Sequence, residues 1–475
     1  MLTREANGPS HGRREPGSPP RPRPAPSLPA DERPGDAAPR ERIRSLDGLR
    51  ALAFLLVFGF HTWQFAGEPT VPVLTTILGH NTRPDFFVVL TGFVLLLPFA
   101  RDPARFATFR LRPYLVRRLR RIVPPYYAAL AVAIALPTAL TLGARFTGFA
   151  AHSQHLPALG DVAAHLTFTH MFFPAYWDGI NGSLWTMSLE MQLYLTFPLL
   201  VFVVAKRGWL TLIPVVVLSL AYRVVAGLVV QEPSFPTLFL LDSTAVGRLM
   251  QFVIGMVAAV LAIRWRSGMR WWGHAILAAT VVGAYEVATA PAVAQLRHLP
   301  LRDTLLGVAF GALVILAVTS RPVERVLAIR PLARLGFVAY SVFLVHEPVA
   351  YYLSQFLERG LGVPEGHRLL ELMWTVGLVV VLVVGYAFHL VIEKPCIAWS
   401  RAAVRRRLTD GADQRGGPTS EVLQTTAAGC PADQPAALEP ATAPARRTWP
   451  RRRPSAAATT PRGRGTTRWC PPDPT

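Results

Sequence analysis

The sequence predicts an all-α polytopic integral membrane protein with about ten transmembrane helices and disordered N- and C-terminal tails. Hydrophobic residues make up 51% of the 475 residues, charged residues only 16%, and the mean hydropathy is +0.32. A soluble domain of this length would be less apolar and more charged. The net charge of +20 does not indicate a nucleic-acid partner, because the basic residues are scattered through tails and short loops. We therefore expect the lipid bilayer to surround the chain.

Each predicted membrane helix is an apolar run close to the roughly 17 to 25 residues that span a bilayer. In chain order the runs are 46–66, 84–100, 122–142, 184–205, 209–230, 244–263, 271–290, 304–320, 334–356 and 369–391. The second run is the weakest, because it is short and leads into Pro98.

The two ends of the chain lack the apolar residues that a folded core needs. Residues 1–42 are rich in Pro, Arg, Gly and Ala, and residues 405–475 are rich in Pro, Ala, Thr and Arg. Such segments bury too little surface to offset the entropy that is lost on ordering. The sequence therefore predicts one transmembrane domain at 43–397 between two disordered cytoplasmic tails.

Basic residues are concentrated in alternate loops. Short cytoplasmic loops carry an excess of Lys and Arg, which indicates their side of the membrane. The basic loops are 101–121, 206–207, 264–266 and 321–334, whereas the loop at 143–182 is poor in charge. This alternation predicts a multi-pass protein of the cytoplasmic membrane with both termini on the cytoplasmic side.

The cysteines do not indicate a structural or metal role. Cys396, Cys430 and Cys470 lie at or beyond the end of the last apolar run, without CxxC spacing. They offer neither a disulfide framework nor a zinc site. We expect no permanently bound metal or cofactor, and no obligate protein partner is indicated.

The first apolar run carries two polar residues on one side of its helix. Arg50 and His61 are eleven positions apart, which places them about 20° apart around the axis and about 16 Å apart along it. Phe54 and Val57 fill the same stripe between them. A histidine within the bilayer is costly unless it has a function. The alternative is that His61 only reaches the headgroup region.

The second apolar run begins with an acidic residue at its outer mouth. Asp85 either orients a histidine or caps the helix. Thr91 and Gly92 follow in mid-helix, where small residues allow close helix packing.

A cluster of arginines precedes the third apolar run at the inner membrane edge. Arg118 and Arg121 share one helix face, with Arg117 beside them, and guanidinium groups suit phosphate oxygens. A positive-inside anchor is the alternative interpretation. Because Pro124 follows, we expect the cluster to open a bent or newly started helix, whose N-terminus attracts anions.

The fourth apolar run begins after an Asn-Gly-Ser segment and contains a carboxylate. Glu190 and Tyr194 are one turn apart on one face, and an intramembrane glutamate needs a partner, either His61 or an arginine. Trp185 is suited to stacking on a ligand or to the interfacial belt. Asn181 lies in the segment that precedes Trp185 and Glu190.

The ninth apolar run carries a second histidine, His346, followed by Glu347 and preceded by Tyr340. Arg248 and Glu393 complete the set of polar residues within or next to apolar runs. No one of these stretches is diagnostic alone.

In this order the motifs resemble those of the acyltransferase-3 family of membrane O-acyltransferases, over about 43–395. Thr91 stands where the family usually has serine, which keeps the hydroxyl, and Ala339 replaces a common serine, which removes one. The matching segments are Arg50 to His61 after Leu-Asp-Gly, Phe86 to Phe93, Arg118 to Pro124, Asn181 to Glu190, Tyr340 to Pro348, and Glu393 to Pro395.

The resemblance implies transfer of an acetyl or short-chain acyl group from cytoplasmic acyl-CoA to a hydroxyl of a carbohydrate or a glycosylated small molecule. The expected donor-binding residues are Arg118, Arg121 and Arg117. His61, with Arg50 below it, would meet the thioester. Its imidazole, kept neutral by apolar surroundings, could act as general base or carry the acyl group, and the sequence leaves both open.

The resemblance also implies an acid that orients His61 and a set of residues that bind the acceptor. Glu190 is preferred to Asp85 as the acid, because it lies within an apolar run. His346 is expected on the acceptor side. The residues expected to bind substrate are Asp85, Trp185, Asn181, His346 and Tyr340.

Two other classes of protein are alternatives. A transporter or exporter of a small anionic substrate would use the same ionisable groups to line a path, and it predicts an inverted internal repeat. No such repeat is visible between the two halves of the sequence. A noncatalytic lipid- or glycan-binding scaffold would explain the arginines, but not a histidine and a glutamate within apolar runs.

Overall fold

The computed structural model describes residues 43–72, 74–79, 82–147, 157–230, 235–266, 268–296 and 299–400. Both predicted tails lie outside these residues, together with Cys430 and Cys470. The described part forms helices and no β-strand, so the predicted all-α class is confirmed.

Sixteen α-helices make up the described part, with short turns of 3₁₀-helix or π-helix between some of them. In chain order they are α1 (Arg44–Phe65), α2 (Leu74–Gly79), α3 (Arg83–Arg101), α4 (Leu111–Thr147), α5 (Leu159–Leu166), α6 (Trp185–Arg207), α7 (Leu212–Val229), α8 (Phe235–Asp242), α9 (Ala245–Trp265), α10 (Trp271–Thr289), α11 (Pro291–Gln295), α12 (Leu301–Thr319), α13 (Arg321–Leu327), α14 (Arg330–Gln355), α15 (His367–Leu372) and α16 (Leu378–Phe388). The π-helical turns are Phe356–Gly360, Met373–Gly377 and His389–Glu393.

Nine helical segments of the described part are long and apolar enough to cross a membrane. They contain α1, α3, α4, α6, α7, α9, α12, α14 and α16. The predicted run at 271–290 forms α10, which packs along α12. α10 is not one of the nine. The multi-pass architecture predicted from the sequence is therefore confirmed, with nine clear spans where about ten were expected.

The helix that carries the arginine cluster begins earlier than predicted. The apolar run was expected from 122, but α4 begins at Leu111 and contains three prolines, the first at Pro124. The arginines at 117–121 therefore lie inside a long helix that begins before them. Of the two expected forms, a helix newly started at the cluster is not found, and a bend at the prolines stays a prediction. Hydropathy could not indicate this start, because arginine is polar and also a good helix former.

The helices approach most closely where glycines face backbone. A Cβ atom on Gly92 of α3 would lie 2.2 Å from the Phe252 carbonyl oxygen, and one on Gly255 of α9 would lie 2.0 Å from the Val89 carbonyl oxygen. The predicted packing role of Gly92 is therefore confirmed. Close α1–α14 packing depends on Gly336, whose Cβ would overlap the Asp47 carbonyl oxygen. These two pairs of helices carry most of the polar residues discussed below.

Candidate active site

The two predicted histidines lie next to each other inside the helix bundle. The ring centroids of His61 on α1 and His346 on α14 are 5.3 Å apart, with the planes tilted by 57°. His61 is half-buried and contacts Phe60 and Phe65, whereas His346 is fully buried. We call these two residues the histidine pair.

His346 is held in one orientation by backbone and by an aromatic ring. Its Nδ1 lies 2.5 Å from the Phe343 carbonyl oxygen, and because a carbonyl can only accept, Nδ1 carries a proton. Phe54 of α1 packs edge-on against the imidazole, at 5.8 Å between centroids. The buried Nε2 has no hydrogen-bond partner among the described residues. In the neutral ring this nitrogen is a proton acceptor that faces the interior.

The segment before α6 braces the histidine side of α14. Asn181 accepts hydrogen bonds from the Ser183 backbone N–H (3.0 Å) and hydroxyl (2.7 Å), and its amide donates to the Leu344 carbonyl at 3.5 Å. A Cβ atom on Gly182 would lie 2.7 Å from a carboxylate oxygen of Glu347, so glycine permits this approach. Asn181 therefore supports the neighbourhood of His346, and its expected direct contact with substrate stays a prediction.

The predicted arginines and Glu190 meet in a second group, which we call the arginine–glutamate cluster: Arg50, Arg118, Arg121, Glu190 and Tyr194. Glu190 accepts a hydrogen bond from the Tyr194 hydroxyl and lies within electrostatic range of all three arginines. Arg118 lies over the Tyr194 ring at 5.3 Å, and Arg50 also pairs with Asp47 at 3.1 Å. The hydrogen-bond partner of Glu190 is thus Tyr194, the charges within its electrostatic range are arginines, and its expected role in orienting His61 gains no support from these contacts.

Arg50 and His61 occupy two levels of one helix face, as the sequence predicts. Arg50 lies near Arg121 and Tyr194, and His61 contacts His346. Phe54 and Val57, at 1% and 7% exposure, are the buried residues of the same face between the two levels. Both polar side chains are half-buried on this face.

Three predicted residues make contacts that differ from those expected of a binding group. Tyr340 donates its hydroxyl to the Ile122 carbonyl at 3.0 Å, which ties α14 to α4 next to the prolines. Trp185 is buried and packs against Phe239 at 4.8 Å. Arg117 lies on the exposed side of α4. The contacts of Tyr340 and Trp185 join helices, and a direct contact of either with substrate is not indicated by them.

Asp85 belongs to a separate group of charges, the ion-pair network: Asp85, Arg223, Asp242, Arg248 and Asp303. Arg248 contacts Asp85 at 2.5 Å and Asp303 at 3.5 Å, and Arg223 pairs with Asp303 and, at 3.1 Å, with Asp242. Gln251 also donates to Asp85. The hydrogen bonds of Asp85 thus run to α9, and neither orientation of His61 nor simple helix capping describes them.

A third polar group lies in the segment between α4 and α6. The rings of His165 and His170 stack in parallel at 4.0 Å, and Asp161 lies 2.9 Å from His165. Burial, together with the neighbouring His165, lowers the pKa of His170 to about 3. Burial also lowers the pKa of His165 and raises that of Asp161. We made no prediction for these residues, although the i, i+4 spacing of Asp161 and His165 is a visible signal.

Other residues of the site were noted in the sequence but given no role. Glu347 was seen only as an acid next to His346, and Ser183 only as part of a motif. Arg248 was recognised without a partner, because its ion pairs come from two other helices. Among the described residues, no group of three or more His, Cys, Asp or Glu side chains is arranged to hold a metal ion.

The fold and the site together define a class of protein: a multi-pass membrane protein whose helices carry two adjacent imidazoles and a separate group of arginines with a glutamate. The acyltransferase domain family matches residues 43–392, which is most of the chain. The chain therefore belongs to the acyltransferase-3 family.

Three curated relatives are similar to this chain. Acyltransferase MdmB of Streptomyces mycarofaciens is 28% identical over 77% of this chain and 94% of its own length. Peptidoglycan O-acetyltransferase OatA of Listeria monocytogenes is 22% identical over 67% of this chain and 51% of its own length. Exopolysaccharide production protein ExoZ of Rhizobium meliloti is 27% identical over 69% of this chain and 92% of its own length. No solved structure gives a significant match.

Proposed function

We propose that the protein is a membrane O-acyltransferase that moves an acetyl or short-chain acyl group from cytoplasmic acyl-CoA to a hydroxyl of a carbohydrate or glycosylated small molecule. The observation that carries this proposal is the arrangement of α1, with Arg50 in the arginine–glutamate cluster and His61 in the histidine pair. Membership of the acyltransferase-3 family gives the reaction class. The names of two relatives, which refer to peptidoglycan and exopolysaccharide, support a carbohydrate acceptor.

In this proposal the arginines bind the donor. Guanidinium groups form charge-assisted hydrogen bonds with phosphate oxygens, and Arg118 and Arg121 present two of them beside Glu190. Glu190 and Tyr194 hold these side chains in place when no donor is bound. Because Arg50 and His61 are about 16 Å apart along α1, a comparable length of extended pantetheine arm separates donor phosphates from the thioester.

The thioester would then meet His61. His61 is half-buried in an aromatic and apolar wall that includes Phe60 and Phe65. A neutral imidazole can act on the thioester or on the acceptor hydroxyl. The acceptor approaches from the side of His346, Glu347 and the Asn181 segment.

The proposal is tested by measuring CoA release from radiolabelled acetyl-CoA by the purified protein in lipid nanodiscs, with cell-envelope glycan fractions as acceptors. We expect CoA release that depends on donor and protein, and label in the glycan. Butanoyl-CoA serves as a second donor, so that chain length does not hide the activity. Absence of CoA release with both donors would overturn the proposed function.

Donor binding has its own test in the double variant Arg118→Ala with Arg121→Ala. Each charge-assisted hydrogen bond contributes about 1.5–3 kcal/mol, so we expect the donor KM to rise about 10- to 100-fold. The acceptor KM should change much less. The matched control is Arg110→Ala with Arg112→Ala, which removes two exposed arginines next to or within the start of the same helix. An equal effect of both double variants would remove the specific role of Arg118 and Arg121.

A further inference from the structure

We propose that His346 is the general base that activates the acceptor hydroxyl, and that His61 carries the acyl group between donor and acceptor. This inference rests on the proposed acyltransferase function and divides its two half-reactions between the histidines. It is carried by the geometry of the pair and by the fixed proton of His346.

The hydrogen bond of His346 selects its chemical role. Its Nδ1–H is committed to the Phe343 carbonyl at 2.5 Å, so Nε2 is the nitrogen that can take a proton. This Nε2 is buried and has no hydrogen-bond partner in the described part of the chain. A buried acceptor without a partner needs an explanation. His170 Nδ1 is another such nitrogen among the described residues, so what singles out His346 is its position beside His61.

His61 differs from His346 in its access. Its side chain is half-buried, whereas that of His346 is not exposed at all. A nucleophile must reach the carbonyl carbon of a bulky thioester, but a base needs only to reach a proton. With the rings 5.3 Å apart, an acyl group on His61 lies within reach of a hydroxyl that also touches His346 Nε2.

The surroundings keep His346 in this position. Phe54 packs against one side of the ring at 5.8 Å and Phe343 lies at 5.3 Å. One residue on, Glu347 lies against Gly182, and the Asn181 amide reaches the Leu344 carbonyl of the same turn. Glu347 and Asn181 are therefore positioning residues, which act on the reaction through His346.

The reaction balances in two steps. First, a ring nitrogen of His61 attacks the thioester carbon, the C–S bond breaks, and the remaining N–H proton of the acylimidazolium passes to the CoA thiolate. Second, the acceptor oxygen attacks the acyl carbon while its proton moves to His346 Nε2. The C–N bond then breaks, and the proton on His346 passes to the His61 ring. Both histidines return to their neutral forms, and no other reactant is needed.

The two half-reactions can be separated by following label on the protein. Wild-type protein is loaded with acetyl-CoA labelled in the acetyl group, excess donor is removed, and the decay of protein-bound label is measured in buffer with glycerol as hydroxyl probe. We expect wild type and His346→Ala to release similar amounts of CoA on loading. The label in His346→Ala should then decay about 10²- to 10⁴-fold more slowly, which is the usual contribution of a general base.

Hydroxylamine distinguishes a missing base from a damaged site. It attacks acyl groups without losing a proton to a base first, so it should remove the label from wild type and His346→Ala at similar rates. His346→Gln serves as a second variant of similar size, which cannot take up a proton, if His346→Ala does not fold. His61→Ala should take up no label, and peptide mass spectrometry should find the acetyl group on His61.

Each outcome decides the inference. Equal decay in wild type and in a folded His346 variant would overturn the base role, and so would loss of CoA release on loading in both variants. If wild type transfers acetyl groups to glycans but never carries label, the acyl-carrier role of His61 fails while the proposed function stands. If wild type releases no CoA from acetyl-CoA or butanoyl-CoA, the proposed function itself fails.

Discussion

The histidine pair and the ion-pair network are two polar groups in one helix bundle, and they differ in whether opposite charges face each other. Two buried atoms of the network, Asp85 Oδ2 and Arg248 Nε, lack a hydrogen-bond partner among the described residues, as His346 Nε2 does. In the network, three aspartates and two arginines are joined by contacts no longer than 3.5 Å, and the Gln251 amide donates a further hydrogen bond to Asp85. In the histidine pair, His346 Nε2 has no partner among the described residues, and His61 is only half-buried.

This difference indicates that the ion-pair network has a structural role and that the histidine pair takes part in the chemistry. A buried charge is tolerated when opposite charges and hydrogen bonds surround it, and such a group holds helices together. His346 forms no ion pair with a carboxylate among the described residues, so its burial lacks that stabilisation, and such an imidazole is a candidate for a group that acts on a substrate. We therefore expect changes in the network to alter stability and changes in the histidine pair to alter turnover.

The largest effect is expected from His61→Ala. Loss of the group that meets the thioester should lower acyl transfer by about 10³-fold or more, while the protein stays folded in the membrane. Transfer is measured as CoA release, and folding by size-exclusion profile and melting temperature in detergent. His367→Ala, at an exposed histidine bonded only to the Thr70 carbonyl at 3.0 Å, is the matched control. Normal turnover in His61→Ala would remove His61 from the mechanism.

The second largest effect is expected on stability, from Arg248→Met in the ion-pair network. This change leaves Asp85 and Asp303 buried without one of their cations, which should cost about 3–5 kcal/mol of unfolding free energy. Transfer per folded molecule should stay near that of wild type when assayed well below the melting temperature. If transfer falls by 10-fold or more in protein that remains folded, the network takes part in the reaction, and its assignment to a structural role is wrong.

A smaller loss of unfolding free energy is expected from Gly255→Ala, which tests the packing of α9 against α3. The new methyl group would meet the Val89 carbonyl oxygen at 2.0 Å and push α3 away from α9, at about 1–3 kcal/mol. Gly283→Ala in α10 is the control, because a Cβ atom there meets nothing within 4 Å. Thermal unfolding of the two variants compares them directly. Equal melting temperatures would show that α3 and α9 can move apart at little cost in stability.

The smallest effect concerns the stacked histidines between α4 and α6. Burial holds the pKa of His170 near 3, against 6.5 in the unfolded chain, so the unfolded state takes up a proton first as the pH falls. Stability that is complete above pH 6.5 should therefore decrease toward pH 3, by up to about 1.4 kcal/mol per pH unit for each such histidine. The raised pKa of Asp161 acts in the opposite direction.

The pH dependence is measured as melting temperature between pH 7.5 and 5.0, for wild type and His170→Gln. We expect the variant to lose less stability over this range, because it has no imidazole to protonate in the unfolded state. A steeper pH dependence in the variant would contradict the sign of the effect. The result would also tell whether this third polar group behaves as a structural one, like the ion-pair network.

Local features were predictable because they depend on neighbours along the chain. The apolar runs gave the spans, and the eleven-residue spacing gave the common face of Arg50 and His61. The start of α4 was not predictable, since its first turns are polar and helical at once. The run at 271–290 was also predicted as a span, but α10 is not one of the nine clear spans.

The partners of single side chains were less predictable. Glu190 had two possible partners in the sequence, and the structure brings it to the arginines. Asp85 was expected either to orient a histidine or to cap the helix, but its hydrogen bonds run to Arg248 and Gln251. Periodicity gives the face of a helix on which a residue lies, and it carries no information about which distant helix that face meets.

The amino-acid sequence alone determined that this chain crosses a membrane as a helical bundle, that its motifs are those of one enzyme family, and that Arg50 and His61 share a helix face. Hydropathy and the 3.6-residue turn fix these features within each segment. Only the tertiary structure decided that His346 lies beside His61 and that the other charges separate into two groups. That choice depends on side-chain packing and charge pairing between helices that are far apart in the chain, which no local pattern contains.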